Sequence, residues 1–338
     1  MSNNSGVDNN SSEWGNYSIV EADTYMKYLI TYMALDTIFA VAGTSINVWF
    51  LTAMLLSPKI RSRLRNKIIC GMLVVNLIAS AIICPFFIIR TAADFLIEDH
   101  VVHCYVYTVH NNIYYIQNFL SNWYIFILVC VYTAQVMNFE PVFTPQWVKM
   151  LLTAVIITSP CVFAVFFVPL TRTNYGETFD GCTINTQELV RVYKSLDTIV
   201  PQALIILLFV ATAVLKLRRY LQGHSDTLRV QLIDDITPAD HWYPFVALLV
   251  TAVLSDFGET AISLYPELFF KLAFEIWMGL YIAAGILNYL LVLLIPGIIL
   301  LFPDIRERIK SWRPCRRSAP SADVVVTYEK NTSQLSQI

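Results

Sequence analysis

Charge is scarce in this chain. Only 14% of its 338 residues are Asp, Glu, Lys or Arg, and 56% are hydrophobic, whereas soluble globular domains carry about 25% charged residues. A formal net charge of −2 offers no basic footprint for nucleic acid, which is therefore not an expected partner. The groupings that enzymes use are missing as well. No Gly-rich phosphate loop, His-x-x-x-His pair or Ser-His-Asp set falls at a shared membrane depth. His100, His103 and His110 are too loosely spaced for zinc, and His224 and His241 belong to the other side of the membrane. The expectation is a protein that is not an enzyme and takes no cofactor or metal. The chain's start lacks the basic residues and apolar run of a cleavable signal peptide, so the first apolar segment is expected to act as an uncleaved signal anchor.

The most informative absence is positional. Apart from Lys149 and Lys216, which border the neighbouring gaps, Lys and Arg avoid seven apolar stretches, roughly Thr31 to Leu56, Ile68 to Ile89, Tyr105 to Val136, Val148 to Leu170, Leu196 to Leu217, Trp242 to Leu264 and Leu272 to Leu301. Each exceeds the roughly 20 residues that a helix needs to cross a bilayer. Lipid offers no partner to bare backbone groups, so such spans must be helical; a β-barrel would show alternating segments about half as long. The pattern predicts an all-α membrane protein, a seven-transmembrane helix bundle over residues 31–301. Of the 23 basic residues, 17 fall in alternate gaps and after the last stretch, against six at Lys27, Arg90, Arg172, Arg191, Lys194 and Lys271. By the positive-inside rule the N-terminus is extracellular and the protein is multi-pass, with the plasma membrane as its expected location.

Residues 1–30 then form an extracellular tail. Its Asn-x-Ser sequons at Asn3, Asn9, Asn10 and Asn16, with no Lys or Arg in the first 20 residues, point to a glycosylated segment. The competing reading is a low-complexity tail in which Asn-Ser arises by composition. Of seven cysteines, Cys70, Cys84, Cys130 and Cys161 sit inside apolar stretches and Cys315 follows the last one, which leaves Cys104 and Cys182 on the exterior. Disulfides persist in that compartment. Pairing the two would pin Thr171 to Lys194 across the mouth of the bundle; the alternative is two free thiols.

From about Thr31 to Cys315 these features resemble a rhodopsin-like (class A) G-protein-coupled receptor, a divergent orphan of the invertebrate peptide-receptor type. Asn47, in Gly43-Thr44-Ser45-Ile46-Asn47, resembles the family's first-helix Asn, and Asn66 opens the second helix. Asn76, ahead of Pro85-Phe86, falls where the family usually keeps a sodium-binding Asp; with Asn47 it is expected to be a polar residue of the helix core. Pro201, the exit sequence Leu215-Lys216-Leu217-Arg218-Arg219, and Pro296 followed by Phe302-Pro303-Asp304-Ile305-Arg306 also match. The resemblance implies a short amphipathic eighth helix over 302–314. Ile305, Ile309 and Trp312 would face lipid there, Arg306, Arg308, Lys310 and Arg313 would meet head groups, and Cys315 would be a palmitoylation site. Residues 315–338 would be a disordered cytoplasmic tail whose Ser and Thr residues can be phosphorylated to recruit arrestin.

Three family motifs are absent. Val129 to Gln135 holds no Arg where the Asp/Glu-Arg-Tyr motif belongs, Asn-Pro-x-x-Tyr is replaced by Ile295-Pro296-Gly297-Ile298-Ile299, and Leu254 to Glu259 lacks the Cys-Trp-x-Pro toggle. No acid from Tyr105 to Phe139 and no Lys from Leu272 to Leu301 exclude the amine-receptor and opsin subclasses.

Charged groups at mid-membrane cost about 2.5 to 3.5 kcal/mol or more and mark cavities or pathways. Asp36, Asp256, Glu259 and Glu275 are expected at such depth with no Lys or Arg beside them. Asp256 and Glu259, three apart, share a helix face; a ligand cation entering between them would relieve their repulsion. The expected ligand site joins these two and Glu275 to Asn111, Asn118 and Asn122 of the third stretch, with Asp36 a weaker candidate. Tyr105, Tyr107, Tyr114, Tyr115, Trp123 and Tyr124 are expected mainly at the membrane interface. The implied function is a receptor that passes the binding of an extracellular ligand, a peptide rather than another small molecule, to a heterotrimeric G protein and/or arrestin. The alternatives are an atypical receptor with weak or no G-protein coupling, arrestin-biased or decoy, and a membrane transporter that relays protons on its intramembrane carboxylates.

Overall fold

The computed structural model describes residues 19–96, 100–137, 146–172, 187–221, 229–232, 235–238, 241–269 and 271–311. They form a bundle of long helices. Helix α1 spans Ile19–Leu55; α2 is built from Leu64–Ile78, a π segment Ala79–Ile83 and Cys84–Leu96; α3 spans His100–Val136 and α4 Gln146–Arg172. Helix α5 runs through Gln187–Lys194, a π segment Ser195–Ile199 and Val200–Leu221; α6 is Tyr243–Leu264, α7 Phe274–Ile299 and the short α8 Pro303–Ser311. Among the described residues, 6 helices are long and apolar enough to cross a membrane, and α4 adds a shorter apolar run, Thr153–Pro169. The chain is a multi-pass helical membrane protein. The end of the bundle at which α1 begins is called the N-face below, and the opposite end the C-face.

Both π segments precede a proline. Ala79–Ile83 leads to Pro85 and Ser195–Ile199 to Pro201. A proline has no N–H to give, and its ring crowds the carbonyl four residues back. That carbonyl belongs to Ala81 in one helix and Asp197 in the other, so each helix widens locally instead of breaking. In α5 the indole of Trp123 donates to the Leu196 carbonyl at 3.1 Å, which supports the widened turn from α3.

The core is densest towards the C-face, where Met54, Ile68, Leu73, Leu128, Val129, Tyr132, Phe245, Ile295 and Phe302 are buried together. Tyr132 stacks on Phe245 at 4.5 Å between ring centres, and its hydroxyl accepts from Lys216 at 2.9 Å. The rim is apolar outward, with Val41, Phe166, Leu207 and Phe257 all exposed, as lipid permits.

Helix α8 corrects one expectation. Ile305 and Ile309 are buried in the protein core rather than facing lipid, because Asp304 docks the helix onto the start of α2. Its Oδ2 meets the guanidinium groups of Arg63 and Arg65 and accepts from Asn66 at 3.2 Å. Arg65 also lies over the Phe302 ring, 4.6 Å from its centre. Arg306 and Lys310 remain exposed, whereas Arg308 donates to the Ala53 carbonyl at 3.5 Å. Between α5 and α6, β1 (Arg229–Leu232) pairs antiparallel with β2 (Asp235–Pro238), Val230 opposite Thr237.

Candidate functional site

The N-face half of the bundle holds a buried polar cluster assembled from four helices. On α6, Asp256 and Glu259 stand three residues apart and point the same way. On α5, Lys194 and Asp197 bracket the start of the π segment. Lys194 Nζ lies 2.7 Å from Glu259 Oε1 and 3.7 Å from Asp197 Oδ2. The other oxygen of Glu259 accepts from the Tyr114 hydroxyl at 2.7 Å and from Asn288 at 3.4 Å. Asp256 Oδ2 accepts from Asn122 at 2.8 Å and from Gln202 at 3.4 Å. Thr198 donates to Asp197 Oδ2 at 3.1 Å, while Asp197 Oδ1 has no hydrogen-bond partner among the described residues.

Lys194 corrects the expectation that no cation reaches the depth of Asp256 and Glu259. Its residue is 1% exposed, as is Asp197. The basic-residue pattern assigned it to the outside because it precedes the apolar stretch. Helix α5, however, begins well before that stretch, and a lysine stem can carry its ammonium inward along apolar surface. Three carboxylates and one ammonium therefore share this interior.

Glu259 also faces a cavity of about 140 Å³ whose walls include Tyr32, Phe87, His110, Tyr114, Tyr281 and Tyr289. Tyr32 meets Phe87 edge-on at 4.8 Å, and His110 stacks with Tyr114 at 6.4 Å. A carboxylate set in tyrosine and phenylalanine faces is an environment that receives cations.

The expected ligand residues are distributed unevenly around this cavity. Asn111 lines it with Glu259, and Asn118 is buried on the same helix as Tyr114. Asn122 and Asp256 lie deeper, bonded to each other. Glu275 is exposed in the first turn of α7 and does not join the cluster. Asp36 is buried with neither carboxylate oxygen hydrogen-bonded among the described residues. Asn47 donates to the carbonyls of Gly43 and Val292 at 2.8 and 3.0 Å, tying α1 to α7. Asn76 is buried, and its side-chain amide has no partner among the described residues.

Four of the third-helix aromatics make contacts within the bundle. Tyr114 lines the cavity, Tyr115 packs on Tyr193 at 5.2 Å, Trp123 braces α5, and Tyr124 is buried with its hydroxyl donating to the Ile157 carbonyl at 2.8 Å. Side chains of Tyr105, Tyr107 and Cys104 lie outside the described residues, as do Cys182, the sequon residues Asn3, Asn9, Asn10 and Asn16, Trp312, Arg313 and Cys315. Cys70, Cys84, Cys130 and Cys161 are free thiols. Among the described residues no group of three or more His, Cys, Asp or Glu is arranged to hold a metal ion.

Sequence reasoning missed Lys194, Asp197, Gln202, Tyr32, Tyr281 and Tyr289. A readable signal existed for the first two, an opposite-charge pair at i and i+3 entering an apolar run.

No protein-family model matches the chain, and no curated protein matches it. What the helices and their composition establish is a multi-pass, mostly helical membrane protein.

Proposed function

We infer that this chain is a rhodopsin-like receptor of the plasma membrane, with seven spans and an amphipathic eighth helix. Its N-face is extracellular and receives a ligand, a peptide in the favoured reading. Its C-face engages a heterotrimeric G protein and/or arrestin. The observation that carries this reading is the cavity walled by α1, α2, α3, α6 and α7 and floored by Glu259, which is bonded onward to α3, α5 and α7. A ligand touching Glu259 acts on the carboxylate through which these helices hold one another. It needs no covalent chemistry: a ligand that prefers one arrangement of the helices shifts the population towards it.

A second reading has its own observation. The stretch Val129 to Gln135, where the family keeps its transducing Arg, holds none here, and its Tyr132 is bonded to Lys216 and stacked on Phe245. An aromatic tie of this kind between α3, α5 and α6 favours an atypical receptor, arrestin-biased or decoy, over conventional coupling. G-protein dissociation and arrestin recruitment, recorded in cells expressing the full chain across a peptide library, separate the two. Peptide-dependent G-protein dissociation supports the first reading. An arrestin signal alone supports the second, and silence in both assays with uptake of a solute returns the protein to the transporter class.

A further inference from the structure

We propose that Lys194 is a resident stand-in for the ligand's cationic head: an ammonium or guanidinium group entering the aromatic cavity takes over Glu259, and Lys194 passes to Asp197. The inference rests on the reading of the N-face cavity as the ligand site.

Size limits what enters. At about 140 Å³ the cavity is close to the roughly 150 Å³ void that accepts a benzene molecule. A head of about that size fits, and a whole peptide does not. Charge and shape then select the class. The cavity's acid is Glu259, and its walls include Tyr32, Tyr114, Tyr281, Tyr289 and Phe87, whose ring faces attract a cation once water is displaced. An anionic head would be repelled by the carboxylate, and a neutral one would gain a hydrogen bond from it but no charge pairing.

Glu259 is already engaged. Its Oε1 holds Lys194 at 2.7 Å, so an incoming cation competes with a tethered one. Releasing a buried ammonium without a new partner is prohibitive. Here a second acceptor waits: Asp197 Oδ2 is 3.7 Å from Lys194 Nζ, outside hydrogen-bond distance, and Asp197 Oδ1 has no hydrogen-bond partner among the described residues. Both residues of the exchange sit on α5 at the π segment, where the turn is already widened ahead of Pro201. Lys194 moving from α6 to its own helix removes the ion pair between α5 and α6 and tightens the 3.7 Å pair with Asp197, already present inside α5, into a hydrogen-bonded one. The ligand's charge thereby becomes a change in how two helices are joined.

The test uses the full chain in lipid nanodiscs and four probes. Propylammonium stands for a free amine and N-acetylarginine amide for a peptide-borne head; 1-propanol and N-acetylcitrulline amide are their neutral counterparts. Binding is read by calorimetry and by the thermal unfolding midpoint. The expected result is binding of at least one charged probe, at least tenfold tighter than its neutral partner, with loss in Glu259→Gln. Which charged probe binds distinguishes the two sources. Lys194→Met is expected to tighten binding at least tenfold by removing the competitor. Asp197→Asn is expected to weaken it by a similar factor, by removing the acceptor that Lys194 needs. Should Lys194→Met not survive purification, Asp197→Asn carries the test, since it retains the pair with Glu259. A purely structural role for the cluster would not move affinity in opposite directions. Equal binding of charged and neutral probes, or equal affinity in wild type and Asp197→Asn, overturns the exchange and leaves the cavity as a ligand site. No binding by any of the four overturns both.

Discussion

Lys194 Nζ and Glu259 Oε1, 2.7 Å apart, join α5 to α6 inside the bundle, with the lysine side chain 2% exposed and the glutamate 19%. Removing one partner of a buried pair strands the other, at a cost of roughly 3–5 kcal/mol. Lys194→Met should therefore lower the thermal unfolding midpoint of the nanodisc-embedded protein strongly. Glu259→Gln should cost less, because Lys194 still has Asp197 nearby. The double variant should recover part of the loss relative to Lys194→Met. Additive losses in the double variant would show that the two side chains do not stabilise the fold through each other.

The sequence carried the helices more legibly than the site. Long apolar stretches with Lys and Arg confined to their edges are visible because membrane helices must be apolar over most of their length, and the long helices of the structure fall on them. Lys194 was hidden by the same rule, since a basic residue flanking an apolar stretch normally marks a water-facing end. Asp197 lay inside the stretch from Leu196 to Leu217 but is one acid among aliphatic residues. Tyr32 and Tyr289 carried no signal, because aromatic residues occur throughout the spans and only the packing of α1 against α7 brings these two together, 6.3 Å between ring centres. Ile305 and Ile309 illustrate a different limit. An amphipathic pattern says that one face of a helix is apolar, not whether lipid or protein covers it.

Tyr132 offers a test at the other end of the bundle. Its hydroxyl holds the Lys216 ammonium at 2.9 Å while its ring stacks on Phe245. Tyr132→Phe keeps the stacking and deletes a hydrogen bond to a charged group, worth about 1.5–3 kcal/mol. With α3 and α5 less firmly tied at the C-face, ligand-independent recruitment of a transducer should rise several-fold over wild type at matched surface expression. Unchanged basal recruitment would mean that this tie does not restrain the C-face.

Asp304 is the point at which α8 is fastened, through Arg63, Arg65 and Asn66. Asp304→Asn removes the charge from a contact in which Arg65 is almost wholly buried. Arg65 keeps Asn66 and the Phe302 ring, so the expected loss is about 1.5–3 kcal/mol, not the full cost of a stranded ion. The effect should be local. Hydrogen exchange over 303–311 should accelerate by at least tenfold while α3 and α7 keep their protection, and uniform acceleration across the bundle would argue that α8 is integral to the global fold.

Two glycines of α7 separate cavity shape from helix stability. A Cβ added at Gly285 would stand 2.6 Å from the Tyr32 hydroxyl oxygen and 3.0 Å from its Cε2, whereas one at Gly279 meets nothing within 4 Å. The clash at Gly285 involves the far end of a side chain that can swing, so Gly285→Ala should cost no more than about 1–3 kcal/mol. What it must change is the cavity, because Tyr32 forms part of the wall. Gly279→Ala gains about 0.8–1 kcal/mol of helix propensity and leaves that wall alone. The expected pattern is a ligand response shifted at least tenfold to higher concentration in Gly285→Ala and unshifted in Gly279→Ala, with both variants reaching the cell surface. If both responded like wild type, the Tyr32 wall would not contact the ligand, and the site would have to lie elsewhere on the N-face.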